Sequence, residues 1–163
     1  MTTWWQEVAN TVGQEFADLP DAAGVTRITL RLLIAASLGG VLGFEREQKG
    51  KAAGLRTHML VALGSALFVL IPQQAGVSDA DLTRVMQGLI AGVGFLGAGA
   101  IIKGSGDEES KGLTTAAGIW LTAAIGMAAG MGREATAVLS TLIALIILYT
   151  VPKIVGRFAH RDN

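Results

Sequence analysis

Five apolar stretches dominate the chain, and short polar segments separate them. The stretches are Ile28–Phe44, Thr57–Ile71, Val85–Ile102, Leu113–Met131 and Ala135–Val151. Each lies near the short end of the roughly 17–25 residues that a helix needs to cross a bilayer. Buried helices of a soluble protein are the alternative, but the polar sequence is too short to cover five of them. The pattern therefore predicts an all-α integral membrane bundle of five transmembrane helices.

The segment before the first stretch alternates apolar and polar positions at helical spacing. Its apolar positions are Trp4, Trp5, Val8, Val12, Phe16 and Leu19. This spacing predicts an N-terminal amphipathic helix that lies on the outer membrane interface, with the two indole rings as anchors. A helix packed against the bundle or against a partner subunit is an alternative that the spacing leaves open. Thr26 is predicted to cap the first span.

Lysine and arginine residues concentrate on one side of the predicted membrane. This side carries Arg46, Lys49, Lys51, Arg56, Lys103, Lys111, Lys153, Arg157 and Arg161. The excess of basic residues identifies it as the cytoplasmic side, so the amino terminus is predicted outside and the carboxyl terminus in the cytoplasm. We divide the chain into residues 1–26, an amphipathic helix and turn on the outer side; residues 27–152, the transmembrane domain; and residues 153–163, a basic cytoplasmic tail.

Composition narrows the function classes further. Hydrophobic residues make up 51% of the chain and charged residues only 16%, which argues against an ordinary soluble enzyme. The 13 basic and 13 acidic residues cancel, so nothing indicates a nucleic-acid partner. The absence of cysteine excludes disulfides, thiolate metal sites and cysteine nucleophiles. The partner that composition does predict is the lipid bilayer.

Glycine, with 22 residues, lies mostly inside the apolar stretches. Small residues at helix contacts let membrane helices approach closely. We predict packing roles for Gly39, Gly43, Gly88, Gly92, Gly94, Gly97, Gly99, Gly126 and Gly130. The third span is expected to be central because its glycine face is wide. The segment Gly92–Gly97 also matches the dinucleotide-binding pattern G-x-G-x-x-G, but it lies in the middle of a span without the required strand and turn.

A short motif occurs twice, at the entry to the second span and at the entry to the fourth. The first copy is Gly54-Leu55-Arg56-Thr57 and the second is Gly112-Leu113-Thr114-Thr115. Each follows a basic loop and a glycine-rich helix, so we predict a parallel internal repeat of two helix pairs, with the fifth helix outside it. Coincidence among glycine-rich membrane helices is the alternative.

Polar residues inside or at the ends of spans are candidates for function, because charge in a membrane is costly. The candidates are Arg31, Glu45, Arg46, Glu47, Arg56, Thr57, Arg84, Gln87, Thr114 and Thr115. Arg31 could simply extend its charge to the interface. Glu45 or Glu47 could pair with Arg56. The inner group could form a salt-bridge network or a polar vestibule for an ion or a partner.

Metal binding and catalysis have weaker support in the sequence. The acidic run Asp107, Glu108 and Glu109 could attract Mg²⁺, although a solvated loop is the simpler interpretation. His58 has no second histidine at metal-ligand spacing. No serine lies beside an evident base, so the sequence predicts neither an enzyme nor a cofactor.

Four short motifs together carry a family resemblance. They are Leu38-Gly-Gly-Val-Leu-Gly-Phe-Glu-Arg-Glu47, Ala53-Gly-Leu-Arg-Thr-His58, Gly92-Val-Gly-Phe-Leu-Gly-Ala-Gly99 and Lys111-Gly-Leu-Thr-Thr-Ala-Ala117. In this combination the chain resembles the MgtC/SapB family over residues 28–150. The matching positions are Glu45, Arg46, Gly54, Arg56, Thr57, the run Gly92–Gly99, Gly112, Thr114 and Thr115.

The resemblance implies a bacterial inner-membrane protein linked to magnesium homeostasis. Virulence members of the family are associated with survival inside macrophages and with restraint of the F-type ATP synthase. Those members carry a soluble domain after the fifth helix, which this sequence does not contain, so the resemblance favours the shorter SapB-like members.

Two function classes follow from the sequence and the resemblance. The favoured one is a non-enzymatic accessory or regulatory protein that acts through helix–helix contacts, as a homo-oligomer such as a dimer or with another membrane protein. The alternative is a channel or transporter for Mg²⁺ or another ion, with a path within the bundle or at an oligomer interface.

Overall fold

A computed structural model describes residues 3–15, 17, 21–102 and 109–159. These residues form six α-helices and no strand. The helices are α1 (Trp4–Glu15), α2 (Ala22–Gln48), α3 (Leu55–Gln74), α4 (Asp79–Ile102), α5 (Glu109–Gly130) and α6 (Glu134–Ala159).

Five of these helices are long and apolar enough to cross a bilayer. The candidate spans are Ala22–Gln48, Leu55–Gln74, Asp79–Ile102, Gly112–Gly130 and Glu134–Val155. The all-α fold and the number of predicted spans are confirmed. The helices extend beyond the apolar stretches, and α6 continues through Pro152 into the predicted tail. Polar residues at the span ends continue a helix because the backbone hydrogen bonds do not depend on an apolar side chain.

The chain divides into two compact units, residues 1–30 and residues 31–163. In the first unit, α1 places the Trp4 and Trp5 rings edge to face, with centroids 4.3 Å apart. Asp21 caps the start of α2, because its carboxylate accepts a hydrogen bond of 2.5 Å from the Gly24 amide. The predicted cap at Thr26 is wrong. Thr26 lies inside α2, where its hydroxyl donates to the Ala22 carbonyl.

In the second unit, α5 is the central helix. It contacts α3, α4 and α6, and 56% of its spanning residues are buried. The corresponding fraction for α4 is only 11%, so the expectation that the third span is central is wrong. Helix α4 carries glycines but also Phe95 and Leu96, which are exposed. Helix α5 has small residues on several faces, which allows neighbours to approach it from several directions.

The contact between α3 and α5 is made by small residues on both helices. A Cβ atom on Gly126 would lie 2.8 Å from the Cα atom of Ala62, and one on Gly130 would lie 2.9 Å from the Cα atom of Ala66. Real Cβ atoms do not approach so closely, so glycine is required at both positions. The predicted packing pair on α5 therefore meets a matching alanine pair one turn apart on α3.

Helix α2 packs on α3 in a similar way. A Cβ atom on Gly39 would lie 2.6 Å from the His58 carbonyl oxygen, and one on Gly43 would lie 2.7 Å from the Leu55 Cα atom. On α4, a Cβ atom on Gly97 would lie 3.5 Å from the Ala116 methyl group. The offset between Gly39 and Gly97 equals that between His58 and Ala116, and that between the two entry motifs. This equivalence supports the predicted repeat.

The turns that follow α2 and α5 depend on glycine. After α2, the Lys51 amide donates to the Arg46 carbonyl, and after α5 the Arg133 amide donates to the Ala128 carbonyl. These bonds end the helices in Schellman motifs, which need a left-handed residue. Gly50 and Gly132 supply it, with φ of 62° and 76°.

Candidate functional site

Three ionisable side chains are buried together where α2 ends and α3 begins. Glu45 and Arg46 lie in the last turn of α2, with relative exposures of 3% and 4%, and His58 in the first turn of α3 is fully buried. Burying charge inside a membrane domain is costly unless partners compensate it. The three residues are therefore the strongest candidates for a functional site in this part of the chain.

Glu45 and Arg46 form a buried ion pair although they are neighbours in sequence. The Arg46 Nε and Nη2 atoms both approach the Glu45 Oε2 atom. The second carboxylate oxygen of Glu45, Oε1, is buried and has no hydrogen-bond partner among the described residues. The pair is neutral overall, and it leaves one carboxylate oxygen available for a hydrogen-bond donor.

The contacts of His58 determine what its ring can bind. Its Nδ1 atom lies 3.0 Å from the Gly54 carbonyl oxygen, and a carbonyl oxygen only accepts hydrogen bonds. In the neutral ring Nδ1 therefore carries the hydrogen, and Nε2 is an acceptor. Nε2 is buried without a partner among the described residues. It lies 3.5 Å from the position that a Cβ atom on Gly118 would occupy.

A cavity of about 190 Å³ lies beside this cluster. Its wall contains residues from α2, α3, α5 and α6: Leu42, Arg46, His58, Thr114, Ala117, Gly118, Leu121, Ala144, Ile147 and Leu148. The polar residues of the wall are nearest the ends of the helices, and the deeper residues are apolar. One turn beyond Gly118, Thr122 is also buried, and its hydroxyl has no hydrogen-bond partner in the described part of the chain. The arrangement can bind a small molecule that donates a hydrogen bond.

The predicted pairing of Arg56 is not what the structure shows. Glu45 pairs with Arg46, and the Glu47 carboxylate accepts a hydrogen bond of 2.7 Å from the Leu55 amide. Glu47 therefore caps the start of α3 across the loop. Arg56 and Thr57 are exposed, and no described carboxylate forms an ion pair with Arg56.

The second entry motif differs from the first in exposure. Thr115 is buried, whereas Thr57, the equivalent residue of the first motif, is exposed. Thr114 is exposed and lies at the cavity mouth. The acidic run at 107–109 falls mostly in residues 103–108, which lie outside the described residues.

Arg31 organises the opposite end of the bundle. Its Nη1 atom donates to the Gln73 side-chain oxygen and to the Gly130 carbonyl oxygen, both at 3.0 Å. Its Nε atom lies 3.8 Å from a carboxylate oxygen of Glu134. Arg31 thus joins α2 to the last turns of α3 and α5 and to the first turn of α6.

Helix α4 carries the remaining predicted residues, and most of them are exposed. Arg84 pairs with Asp81 at 2.8 Å on the surface, and Gln87 is exposed. A Cβ atom on Gly88, Gly92, Gly94 or Gly99 would meet no described atom within 4 Å. The structure therefore brings the glycines of α2 and α5 into helix contacts within one chain, and Gly97 as well. It does not do so for the other four glycines of α4.

The described residues do not fit a dedicated metal site. They contain no group of three or more histidine, cysteine, aspartate or glutamate side chains that could hold an ion together. Mg²⁺ prefers several oxygen ligands in octahedral geometry. Near His58, the one buried carboxylate already neutralises Arg46.

Comparison with known proteins decides the family. The model of the MgtC family matches residues 32–157, which cover most of the first span and all of the other four. The chain belongs to the MgtC family. The family match confirms the resemblance seen in the motifs, and the five apolar helices make this MgtC-family chain a bacterial membrane protein.

Individual relatives are similar over most of the chain. Protein SrpB of Synechococcus elongatus is 45% identical over 132 residues, which are 74% of this chain and 72% of that protein. The putative magnesium transporter YhiD of Escherichia coli K12 is 38% identical, over 82% of this chain and 64% of its own length. Protein MgtC of Brucella abortus is 41% identical, over 68% of this chain and 45% of its own. No solved structure matches the MgtC-family chain.

Two residues of the site, His58 and Thr122, are not among the candidates that the sequence predicts. His58 closes the second motif of the MgtC family resemblance, but it has no second histidine at metal-ligand spacing that would select it. Its position one turn after Gly54, at the start of an apolar helix, is the feature of the sequence that could have indicated a buried histidine. No feature of the sequence indicates a role for Thr122, because the hydroxyl of a threonine in a membrane helix usually forms a hydrogen bond with the backbone of its own helix.

Proposed function

We propose that this chain is a non-enzymatic membrane protein that serves magnesium homeostasis as an accessory or regulatory factor, through helix contacts with a second copy. The relatives named MgtC and putative magnesium transporter support the link to magnesium. Their names do not point to an enzyme. The predicted orientation, with the amino terminus outside the plasma membrane, belongs to this proposal.

The observation that carries the proposal is the open glycine face of α4. Gly88, Gly92 and Gly99 lie on one side of this helix and have no described atom within 4 Å of the Cβ position. A groove of about 370 Å³ runs beside them, lined by residues that include Phe68, Gly88, Gly92 and Leu96. Phe95, on the same helix, is 81% exposed. The face thus offers both a protruding ring and a glycine-lined groove. A second copy that presents the same face can place its ring in the groove, as a two-fold contact requires.

Single-cysteine cross-linking tests the proposal cleanly because the chain contains no native cysteine. Gly92→Cys places a thiol at the middle of the α4 face. Ile146→Cys places one at the middle of α6, on an equally apolar exposed position. Oxidation in native membranes should give a disulfide dimer with Gly92→Cys and little with Ile146→Cys, because a disulfide needs Cα atoms within about 7 Å. Equal cross-linking of both variants, or none with Gly92→Cys, would contradict the proposal.

Transport of Mg²⁺ or another ion is the second candidate function. The observation that favours it is the unpartnered Glu45 Oε1 atom beside a cavity at one end of the bundle. Purified protein in liposomes loaded with a Mg²⁺-sensitive dye gives a direct measurement. Flux above that of empty vesicles, lost with Glu45→Gln and retained with Glu134→Gln, would establish transport. Flux equal to that of empty vesicles supports the accessory role.

A further inference from the structure

The cavity beside His58 has properties that the proposed helix contact between two copies does not explain. It combines three polar wall residues, Arg46, His58 and Thr114, with an otherwise apolar wall. A purely apolar void would have no need of buried polar atoms. A purely structural polar cluster would be expected to satisfy its own hydrogen bonds, because an unsatisfied buried acceptor costs stability.

The polar and apolar parts of the cavity are separated along the helix axes. On α2, Arg46 is nearer the helix end and Leu42 is one turn deeper. On α5, Thr114 is near the helix end, and Leu121 is about 10 Å deeper at 1.5 Å per residue. The cavity therefore has a polar mouth near the membrane surface and an apolar interior. Its ligand should have a polar head and an apolar tail.

The hydrogen bonds of the cluster specify the head. The Nε2 atom of His58 is an acceptor and has no partner among the described residues, so the head must donate a hydrogen bond. Thr114, at the mouth, offers a hydroxyl that can donate or accept. A hydroxyl group on the ligand satisfies His58 as donor and can accept from Thr114 in return.

The charges of the cluster argue that the head is neutral. Glu45 and Arg46 already compensate each other, and the cavity interior is apolar. Because the two charges of this pair compensate each other, a charged head of either sign would gain little net attraction, and it would lose its hydration in the cavity. The volume of about 190 Å³ is slightly larger than the roughly 150 Å³ of an engineered cavity that binds benzene. It therefore accommodates a head with a short apolar segment.

We infer that this cavity is a binding site for an uncharged, hydroxyl-bearing amphiphile, held by a hydrogen bond from its hydroxyl to the Nε2 atom of His58. Such a ligand is either a small alcohol or a neutral lipid with a free hydroxyl. The site is separate from the α4 face and does not depend on the proposed function.

Photolabelling with a diazirine derivative of octanol tests the inference on the full chain in nanodiscs. Label should be incorporated saturably at wall residues such as Leu121 and Leu148, and octanol should compete. The methyl ether of heptanol, which has similar length but cannot donate a hydrogen bond, should compete about tenfold less well. Diacylglycerol as a third competitor distinguishes the sources: competition identifies a neutral lipid, and its absence identifies a small alcohol.

The variant Gly118→Ala provides the structural arm. Its methyl group would lie in the cavity at 3.5 Å from Nε2, an ordinary contact that the fold tolerates, and labelling should fall several-fold. Gly64→Ala is the matched control, because its methyl group meets no described atom within 4 Å. Non-saturable labelling, equal competition by the ether, stronger competition by octanoate or octylammonium, or unchanged labelling of Gly118→Ala would each overturn the inference.

Discussion

The contact of Gly126 with Ala62 gives the sharpest quantitative prediction of the structure. A methyl group at position 126 would lie 2.8 Å from the Ala62 Cα atom and 2.9 Å from its carbonyl carbon, whereas carbon atoms pack best at about 3.5–4.0 Å. The atoms in the way are backbone, so they cannot rotate aside. The Ala62 carbonyl oxygen would lie closer still. Helices α3 and α5 must therefore separate by roughly 0.7 Å or more, which forfeits a quarter to a half of the dispersion energy in the neighbouring contacts.

The expected loss for Gly126→Ala follows from two opposing effects. Overpacking costs about 1–3 kcal/mol, and the contact with backbone places this site near the upper limit. The gain in helix propensity from glycine to alanine returns about 0.5–1 kcal/mol. The variant should therefore lose about 2 kcal/mol in the free energy of unfolding. This loss lowers the ratio of folded to unfolded protein by about 30-fold.

The measurement is unfolding in mixed detergent micelles by titration with sodium dodecyl sulfate, followed by circular dichroism. Gly64→Ala is the control because it makes the same chemical change on α3 in open space, and it should gain about 0.5–1 kcal/mol. The two variants should thus change stability in opposite directions. A Gly126→Ala variant as stable as the native chain, or a Gly64→Ala variant that loses as much, would refute the reasoning.

Three further predictions use the same unfolding assay. Arg31→Ala should lose about 2–3 kcal/mol because it removes charged hydrogen bonds to Gln73 and Gly130. Arg84→Ala should change stability by less than about 1 kcal/mol because its pair with Asp81 is exposed. Equal losses in the two variants would argue that the contacts of Arg31 do not stabilise the bundle. Glu45→Leu should lose about 3–5 kcal/mol by leaving the Arg46 charge buried alone, and Glu45→Leu with Arg46→Leu should recover most of it; no recovery would contradict the pairing. Glu47→Ala should lose about 1 kcal/mol through the cap on Leu55, with Glu47→Asp intermediate, and an unchanged variant would exclude the cap.

The number of spans was predictable from sequence because the bilayer imposes one demand on every helix, a long apolar run. The central position was not. Glycine spacing shows that a face is smooth, but it does not show which helix covers it. Helix α4 carries more predicted packing glycines than α5, yet Phe95 and Leu96 stand beside them and are exposed. Helix α5 became central because Gly126 and Gly130 meet Ala62 and Ala66, a match that only the three-dimensional register reveals.

The candidate site was predictable in its location but not in its pairings. The charged residues at the predicted inner ends of the first two spans indicate that a polar site lies there. Glu45 and Arg46 were not expected to pair with each other, because adjacent residues on a helix generally point in different directions. His58 was judged by metal-ligand spacing, which says nothing about a single ring that bonds its own helix start. The Nε2 atom of His58 is a hydrogen-bond acceptor because the Gly54 carbonyl selects the tautomer with the hydrogen on Nδ1, and this follows only from the three-dimensional structure.

The central position of α5 also bears on the order in which the chain is made. Its spanning residues have a mean hydropathy of 1.4, the lowest of the five spans, against 2.1 for the last. Small and hydroxyl-bearing side chains allow α5 to pack closely against other helices. They also make the insertion of α5 alone into the bilayer less favourable than that of the other spans. During synthesis α3 and α4 leave the ribosome before α5, so two of the three helices that contact it in the second unit are already available when it enters the bilayer. Helix α6, the most apolar span, follows and can insert without such help.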